Sequence, residues 1–575
     1  MPEQNDYYLT SEERAGREII DEMIRLSYDK RRETHGDQFF DEIRSFYTFV
    51  PQIRTTNPSF RPKIRFPDLQ MMVVQEAGDI TDNLPIIYLT HEAQRKKERE
   101  AALQAQWAAG HFNVQLLHAE IWALMAGTGF IQVSYRPELY SGRGGVKLTA
   151  WSPENVLVDP WCTSHKDWEY LILRVRMTYD EIRRRFHRFG WKLQPSTGVT
   201  PNVANQMGQG GGNTGGMFDA MQLPPGPMKS VKVPGAGHAA PLGNPIVDFV
   251  FLHDDTRIPI EKPKRGDRVE SVFPTPITIP KYPRGRLQVW GEKYLLYDGP
   301  NPYRKFPLVP FYGMPPLTGF WAPPPIRYVL PFQQLAETMT SQNVENAIRL
   351  NNGIMVIQKG TGLNRDKVRG LPGEILEVDN VQGQGVYFLT PPAFPDQLVN
   401  LPDKFIMRMR ELFGFSPERA GKVAAGNISS SLMDAAIEQS EKLMRLRARY
   451  YAEGVQDVAE LVFGTMLDYL GDTSLPLVEA NSMVTENVPW IGALPEELEG
   501  WDILVDPNSV MPIAQQSRKK MGLLLRNLGS IDQDTLLKWL DAPEREDIVQ
   551  KTRQEQMLMA ASRDATKTRG KKIGS

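Results

Sequence analysis

The chain has 575 residues, 41% hydrophobic and 24% charged, at a formal net charge of −2: enough for about three or four ordinary domains, and too nearly neutral for a tight, sequence-independent DNA binder, which concentrates cations against phosphate. Its single cysteine, Cys162, excludes a disulfide framework and any cysteine-based zinc site. The opening residues are polar and mixed in charge, unlike a signal peptide, and the longest nearly uncharged stretch, 306–326, holds seven prolines and predicts no membrane helix. These features fit a soluble, cytosolic, multidomain protein.

In chain order, residues 11–50 read as helix, with Ile19, Ile20, Met23 and Ile24, then Phe39, Phe40, Ile43, Phe46 and Tyr47, on helical stripes. A Pro-rich stretch at 51–67 breaks it. Residues 86–126 form a further helical region stopped by two glycines. The segments FIQVSYRP, VKLTAWSP, NVLVDP and YLILRVRM predict short alternating strands, followed by a brief helix, TYDEIRRRF, with Thr178 as cap and Glu181 three residues on. Residues 195–245, rich in Gly, Pro, Asn and Gln, hold few large apolar side chains and cannot offset their own chain entropy. They read as a flexible insertion.

A second β-rich stretch runs from 246 to about 312, carried by VDFVFLHD, ESVFPTPITIP and RLQVWGEKYLLYDG. PFQQLAETMTSQNVENAIRLNNG is the next helix, with Pro331 near its first turn and Gly353 past its end. Its polar face holds Gln333, Gln334, Thr338, Ser341, Gln342, Asn343 and Asn346, side chains suited to lateral bonding beside copies of the same helix; a surface helix with a chance amide bias would look the same. IMVIQKG, GEILEVD and GVYFLTPP predict more strands. Then GFSPERAGKVAAGN leads into a helix of about forty residues at 429–471, when ordinary helices average about a dozen. Ser431 and Asp434 fit its capping box, Glu438–Lys442 and Glu441–Arg445 pair at i, i+4, and Gly454 is the expected kink or soft point. Such a strut suits a large repeating assembly or the core of one large domain. Beyond it come strands near 501–506, helices at 513–528, in SIDQDTLLKWL and at about 543–562, and a basic tail, KTRGKK.

A search for chemistry finds little. AGKVAA at 420–425 resembles the end of a phosphate loop but lacks the Ser or Thr that would hold magnesium, and GQGGGN lacks the strand and helix of a dinucleotide fingerprint. His111 and His118 are two helical turns apart without a third ligand nearby. The pair Asp254–Asp255 reads as a turn, Arg183, Arg184, Arg185 and Arg188 as a solvated face, and Asp159–Pro160 as a strand end. No acid–base–nucleophile set can be assembled.

The order of segments resembles portal proteins of tailed bacteriophages. The likeness is carried by WSPENVLVDPWCTSHKDWEYLILRVRMTYDEIRRRF, by FPLVPFYG before the Gln/Asn-rich helix, by the strand pair and Gly-rich loop running into the long helix, and by DILVDPNSVMPIAQQSRKKMGLLLRNLGSIDQDTLLKWLDAPE. Together these cover roughly two thirds of the chain.

The resemblance implies an α+β portal-like fold with wing, clip, stem and crown, and a ring, typically dodecameric, at one capsid vertex. Through that ring double-stranded DNA is packaged, retained and ejected. Carried over, 1–245 is mostly wing, 246–325 clip with its connections, 326–353 a stem helix, 354–413 a return to the wing, 414–428 the channel loop, 429–471 the long helix, and 472–575 the crown region with its basic tail. The family has a stem helix before the clip as well, where 246–265 reads as strand here. Arg419 and Lys422 are the expected DNA-contacting cations of the channel loop, and Gln334, Gln342 and Asn346 the expected subunit-interface residues. The implied partners are further copies of the chain, DNA, the terminase large subunit, major capsid and scaffolding proteins, and head–tail adaptor or tail proteins. No cofactor, metal, membrane or catalytic role is implied, and the implied location is the virion, after assembly in the host cytoplasm. A non-channel scaffold or adaptor of a large machine is the alternative reading.

Overall fold

The computed structural model describes residues 11–36, 39–47, 64–82, 85, 87–89, 96–186, 245–259, 278–291, 294–317, 319–351, 354–357, 386–389, 396–415, 442–478, 485–490, 501, 503–505, 522–526 and 536. Helix and sheet are mixed, as expected of an α+β chain. In chain order the elements are α1 (Ser11–His35), α2 (Phe39–Tyr47), α3 (Asp68–Thr81), β1 (Ile87–Leu89), α4 (Lys96–Ala109), α5 (Phe112–Ala126), β2 (Thr128–Arg136), α6 (Leu139–Gly142), β3 (Gly145–Trp151), β4 (Val156–Val158), β5 (Tyr170–Arg176) and α7 (Tyr179–Arg185). There follow β6 (Ile246–Leu252), β7 (Arg257–Pro259), β8 (Thr278–Pro280), β9 (Arg286–Gly291), β10 (Tyr294–Pro300), β11 (Leu308–Tyr312), α8 (Ile326–Asn351), β12 (Ile354–Ile357) and β13 (Val386–Leu389). The last are α9 (Asp396–Val399), α10 (Leu401–Phe413), α11 (Lys442–Tyr469), β14 (Thr473–Val478), β15 (Thr485–Trp490) and β16 (Ile503–Val505). The chain divides into two compact units: Met1–Thr34 with Trp151–Leu308 and Thr318–Phe320, and His35–Ala150 with Val309–Leu317 and Trp321–Ser575.

The first unit is organised on a five-stranded sheet of order β10-β9-β6-β5-β4, antiparallel throughout. Because side chains alternate along a strand, the register sorts its residues onto two faces. Ile172 lies opposite Val250, and with Leu157, Trp290 and Leu295 they pack against Ile20, Met23 and Ile24 of α1. Val247, Val289 and Leu296 point the other way, onto Ile182 of α7. Thr178 caps α7 as expected, its Oγ1 accepting the Glu181 N–H at 3.3 Å. Arg31 is buried on α1 and donates to the carbonyls of Pro153, Glu154 and Val156.

The second unit holds two apolar cores. One joins α4, α5, β2, β3, β11 and α11 through residues such as Leu103, Leu116, Val133, Phe311, Tyr451 and Val458. The other joins α2, α3, α5, α8 and α10 through Ile43, Leu69, Met72, Leu124, Val329 and Phe413. A three-stranded sheet of order β11-β2-β3 and the pairs β1-β16, β12-β13 and β14-β15 complete its described sheets.

Several elements differ from expectation. The 11–50 helix is two helices, divided after α1 by Gly36 at φ 80°. Helix α3, not assigned from the sequence, follows the proline-rich stretch. Residues 87–89, expected to be helical, are a strand paired with β16 at the far end of the sequence. The β14–β15 hairpin and α10 were likewise not foreseen. Pro331 is internal to its helix, which begins at Ile326. Arg327 and Tyr328 donate to the carbonyls of Pro324 and Pro325, so the prolines before the helix start its first turn. α11 is helical through Gly454. A Cβ placed there would stand 2.8 Å from the Phe311 ring, so glycine permits close approach of helix to strand. The expected cap at Ser431 and Asp434, the first part of the long helix, the insertion at 195–244 and the tail lie outside the described residues.

Candidate functional site

Helix α8 carries two polar faces with different uses. On the inner one, Gln333, Glu337 and Ser341 recur every four residues, hence in one row. Each accepts a backbone N–H from the segment leading into α3 or from its first turn: Leu69 to Gln333 Oε1 at 3.2 Å, Phe66 to Glu337 Oε1 at 3.1 Å, and Ile64 to Ser341 Oγ at 3.0 Å. Gln333 Nε2 donates in turn to the Phe66 carbonyl at 2.7 Å and to Glu337 Oε1 at 2.9 Å. The row does for this segment what a sheet edge does for a strand, supplying acceptors its backbone lacks. Asn343 donates to the Leu398 carbonyl. Much of the amide richness noticed in the sequence is therefore spent inside the chain.

The outer face is different. Beyond Arg327, which is exposed in the first turn, the exposed positions of α8 as far as Gln342 are Tyr328, Pro331, Gln334, Leu335, Thr338 and Gln342, and none is charged. Of the three residues expected at a subunit interface, Gln334 is exposed but donates to Glu42 Oε1 at 2.9 Å, Gln342 is exposed, and Asn346 is half-buried. The expected DNA-contacting cations, Arg419 and Lys422, lie outside the described residues. Of the 414–428 loop only Gly414 and Phe415 are described. Gly414, at φ 106°, turns the end of α10 while its N–H and that of Phe415 return to the Arg410 carbonyl.

Sequence reasoning missed a buried ionic cluster where α10 ends and the described part of α11 begins. Arg447 of α11 is 3% exposed, Glu76 of α3 0% and Glu120 of α5 1%. Arg447 Nη1 donates to Glu76 Oε1 at 2.9 Å and to the Phe413 carbonyl at 3.2 Å, and the guanidinium lies 4.7 Å from the Phe413 ring centroid. Among the described residues, Arg447 Nε and both Glu120 carboxylate oxygens have no hydrogen-bond partner. Burial pushes the Glu120 carboxyl up to about 8; Arg447 opposes the shift and Glu76 adds to it. Burial, with a lesser push from Glu120, also raises Tyr451. The cluster is thus an ion pair beside a carboxyl whose burial favours its neutral form. A signal was present in the sequence: Glu76 sits among Leu69, Met72, Val73 and Ile80, Glu120 among Leu116, Ala119, Ala123 and Leu124, and Arg447 between Met444 and Tyr451, each charge on an otherwise apolar helical stripe.

The other candidates have structural settings. His111 and His118 are both exposed. Arg184 and Arg185 lie on the exposed face of α7, where Arg185 pairs with Glu181 at 2.7 Å. Asp159 ends its strand as expected, its Oδ1 accepting the Trp161 N–H at 3.0 Å and its carbonyl the Cys162 thiol. Asp254 forms a turn with Thr256 and pairs with Arg286 at 3.1 Å. No helix among the described residues is long and apolar enough to cross a membrane. Compared with models of known protein families and with curated proteins, the chain matches none.

Proposed function

We propose that this chain is the subunit of a portal ring of a tailed bacteriophage, a passive conduit rather than an enzyme. On this reading the ring occupies one capsid vertex of the virion, passes double-stranded DNA inward and outward, and docks the terminase large subunit and later adaptor or tail proteins, within a shell of major capsid and scaffolding proteins. The order of segments supports it, and one structural observation carries it: the uncharged outer stripe of α8 from Tyr328 to Gln342. Such a stripe can pack beside its own copy without like-charge repulsion, whereas a helix meant to stay in water usually carries Lys and Glu there. Ring closure by repeated head-to-tail contacts requires such a surface on each copy. Near-neutral charge suits a conduit that must not grip its DNA.

Negative-stain images of the purified protein test the assembly and are expected to show rings with a central hole; solid particles or monomers would favour the scaffold or adaptor reading. The channel role is tested separately by Arg419→Ala with Lys422→Ala. Weak, salt-screened contacts to phosphate predict intact rings with impaired packaging or retention of the genome. Normal packaging, retention and ejection would show that the channel does not use these side chains.

A further inference from the structure

We propose that Glu120, Glu76 and Arg447 form a proton-operated latch that holds the C-terminal end of α10 against the first turns of the described part of α11. Arg447 is the moving part. Its Nη1 joins three elements at once, reaching Glu76 on α3 and the Phe413 carbonyl at the last turn of α10 from its own place on α11. Among the described residues its Nε–H is unsatisfied, and so are both oxygens of Glu120. An unsatisfied donor and an unsatisfied carboxyl in one buried cluster are the components of a second pairing that the present one leaves unmade. With Glu120 neutral, the single positive charge belongs to Glu76. Once Glu120 loses its proton the cluster holds two carboxylates and one guanidinium, a net buried negative charge. Relief comes if Arg447 turns toward Glu120 and releases Phe413, or if the cluster opens to water. α2, α3, α4, α8 and β2 pack on α5. The charged or titratable groups acting on Glu120 are Glu76 from α3, with Arg447 and Tyr451 from α11; His118, on α5 itself, is exposed.

The sign of the pH effect follows from the proton count. Glu120 is raised from 4.5 to about 8 in the folded chain, so the latched state binds a proton that the released, hydrated state gives up. Latching is complete below about pH 4.5, weakens as pH rises, and levels off above about 8. Hydrogen exchange of the full-length protein tests this in peptides covering 401–415 and 442–451, corrected at each pH for the intrinsic exchange rate. Protection in the wild type is expected to fall by up to tenfold per pH unit between pH 5 and 8 and then to plateau. Glu120→Gln, which mimics the neutral acid in shape and charge, is expected to remove the slope. A flat wild-type profile, or an unchanged slope in the variant, overturns the proposal. A measurement on the wild type alone keeps the test open should the variant fold poorly. At pH 7 its infrared spectrum is expected to show a protonated-carboxyl band that disappears by pH 9, and the absence of that band also overturns the proposal.

Discussion

Arg447 shows how much one buried side chain can hold. Its guanidinium neutralises Glu76, caps the Phe413 carbonyl and lies on the Phe413 ring, so truncation removes a charge partner, a donor and packing together. Breaking a buried pair from one side costs about 3–5 kcal/mol, because the surviving charge is left without compensation. Arg447→Met is therefore expected to destabilise by about that amount in denaturant unfolding. Adding Glu76→Gln should recover part of the loss, since an amide in place of the carboxylate no longer needs a counter-charge. If the double variant is as unstable as the sum of the two singles, the two side chains are not coupled as the 2.9 Å contact implies.

Element by element, the close approach of α11 to β11 depends on Gly454. In an open helix Gly→Ala gains about 1 kcal/mol of propensity. Here the added methyl would stand 2.8 Å from the Phe311 ring, and overpacking of that kind costs about 1–3 kcal/mol. The two effects oppose each other and the steric one is larger, so Gly454→Ala should lower the unfolding midpoint. Phe311→Leu vacates the space the methyl needs, so this second substitution should cost less in the Gly454→Ala variant than in the wild type. A Gly454→Ala variant more stable than wild type would mean that helix and strand can separate freely. The row Gln333, Glu337 and Ser341 illustrates the same scale from the polar side. Three side chains one turn apart satisfy a backbone segment that joins no sheet.

For the whole molecule, the question is whether copies of the chain meet along the outer stripe of α8. The structure sharpens the choice of positions. Gln334 donates to Glu42, so a carboxylate introduced there would repel Glu42 and disturb the chain itself. Gln342 is exposed and Asn346 half-buried, and charges at these two report on a neighbour more cleanly. Gln342→Glu with Asn346→Glu is expected to shift rings toward monomers, as read by light scattering, with a melting temperature close to wild type. Because surface repulsion is screened by salt, rings should return in part at high ionic strength. Unchanged rings at low salt would place the subunit contact elsewhere.

Local patterns determined a good part of this protein. The α+β class, the strands from Thr128 to Arg176, the Thr178 cap, and the β-character of 246–252 with the hairpin after it were legible, because periodicity and capping act over a few residues. So was the helix around 331–351, although its start was read late: Ile326, Val329 and Leu330 belong to the core it shares with α3 and α10, partners that periodicity cannot see. Only the tertiary structure decided which pieces met across long sequence separations. It paired Ile87–Leu89 with Ile503–Val505, put Phe311 beside Gly454, and turned the row Gln333, Glu337 and Ser341 inward onto Ile64–Leu69. It also brought Glu76, Glu120 and Arg447 from three helices into one buried cluster. Each of those charges interrupts an apolar stripe in its own helix. A lone carboxylate or guanidinium is excluded from a core by the cost of desolvation, and only the convergence of the three helices makes their burial tolerable.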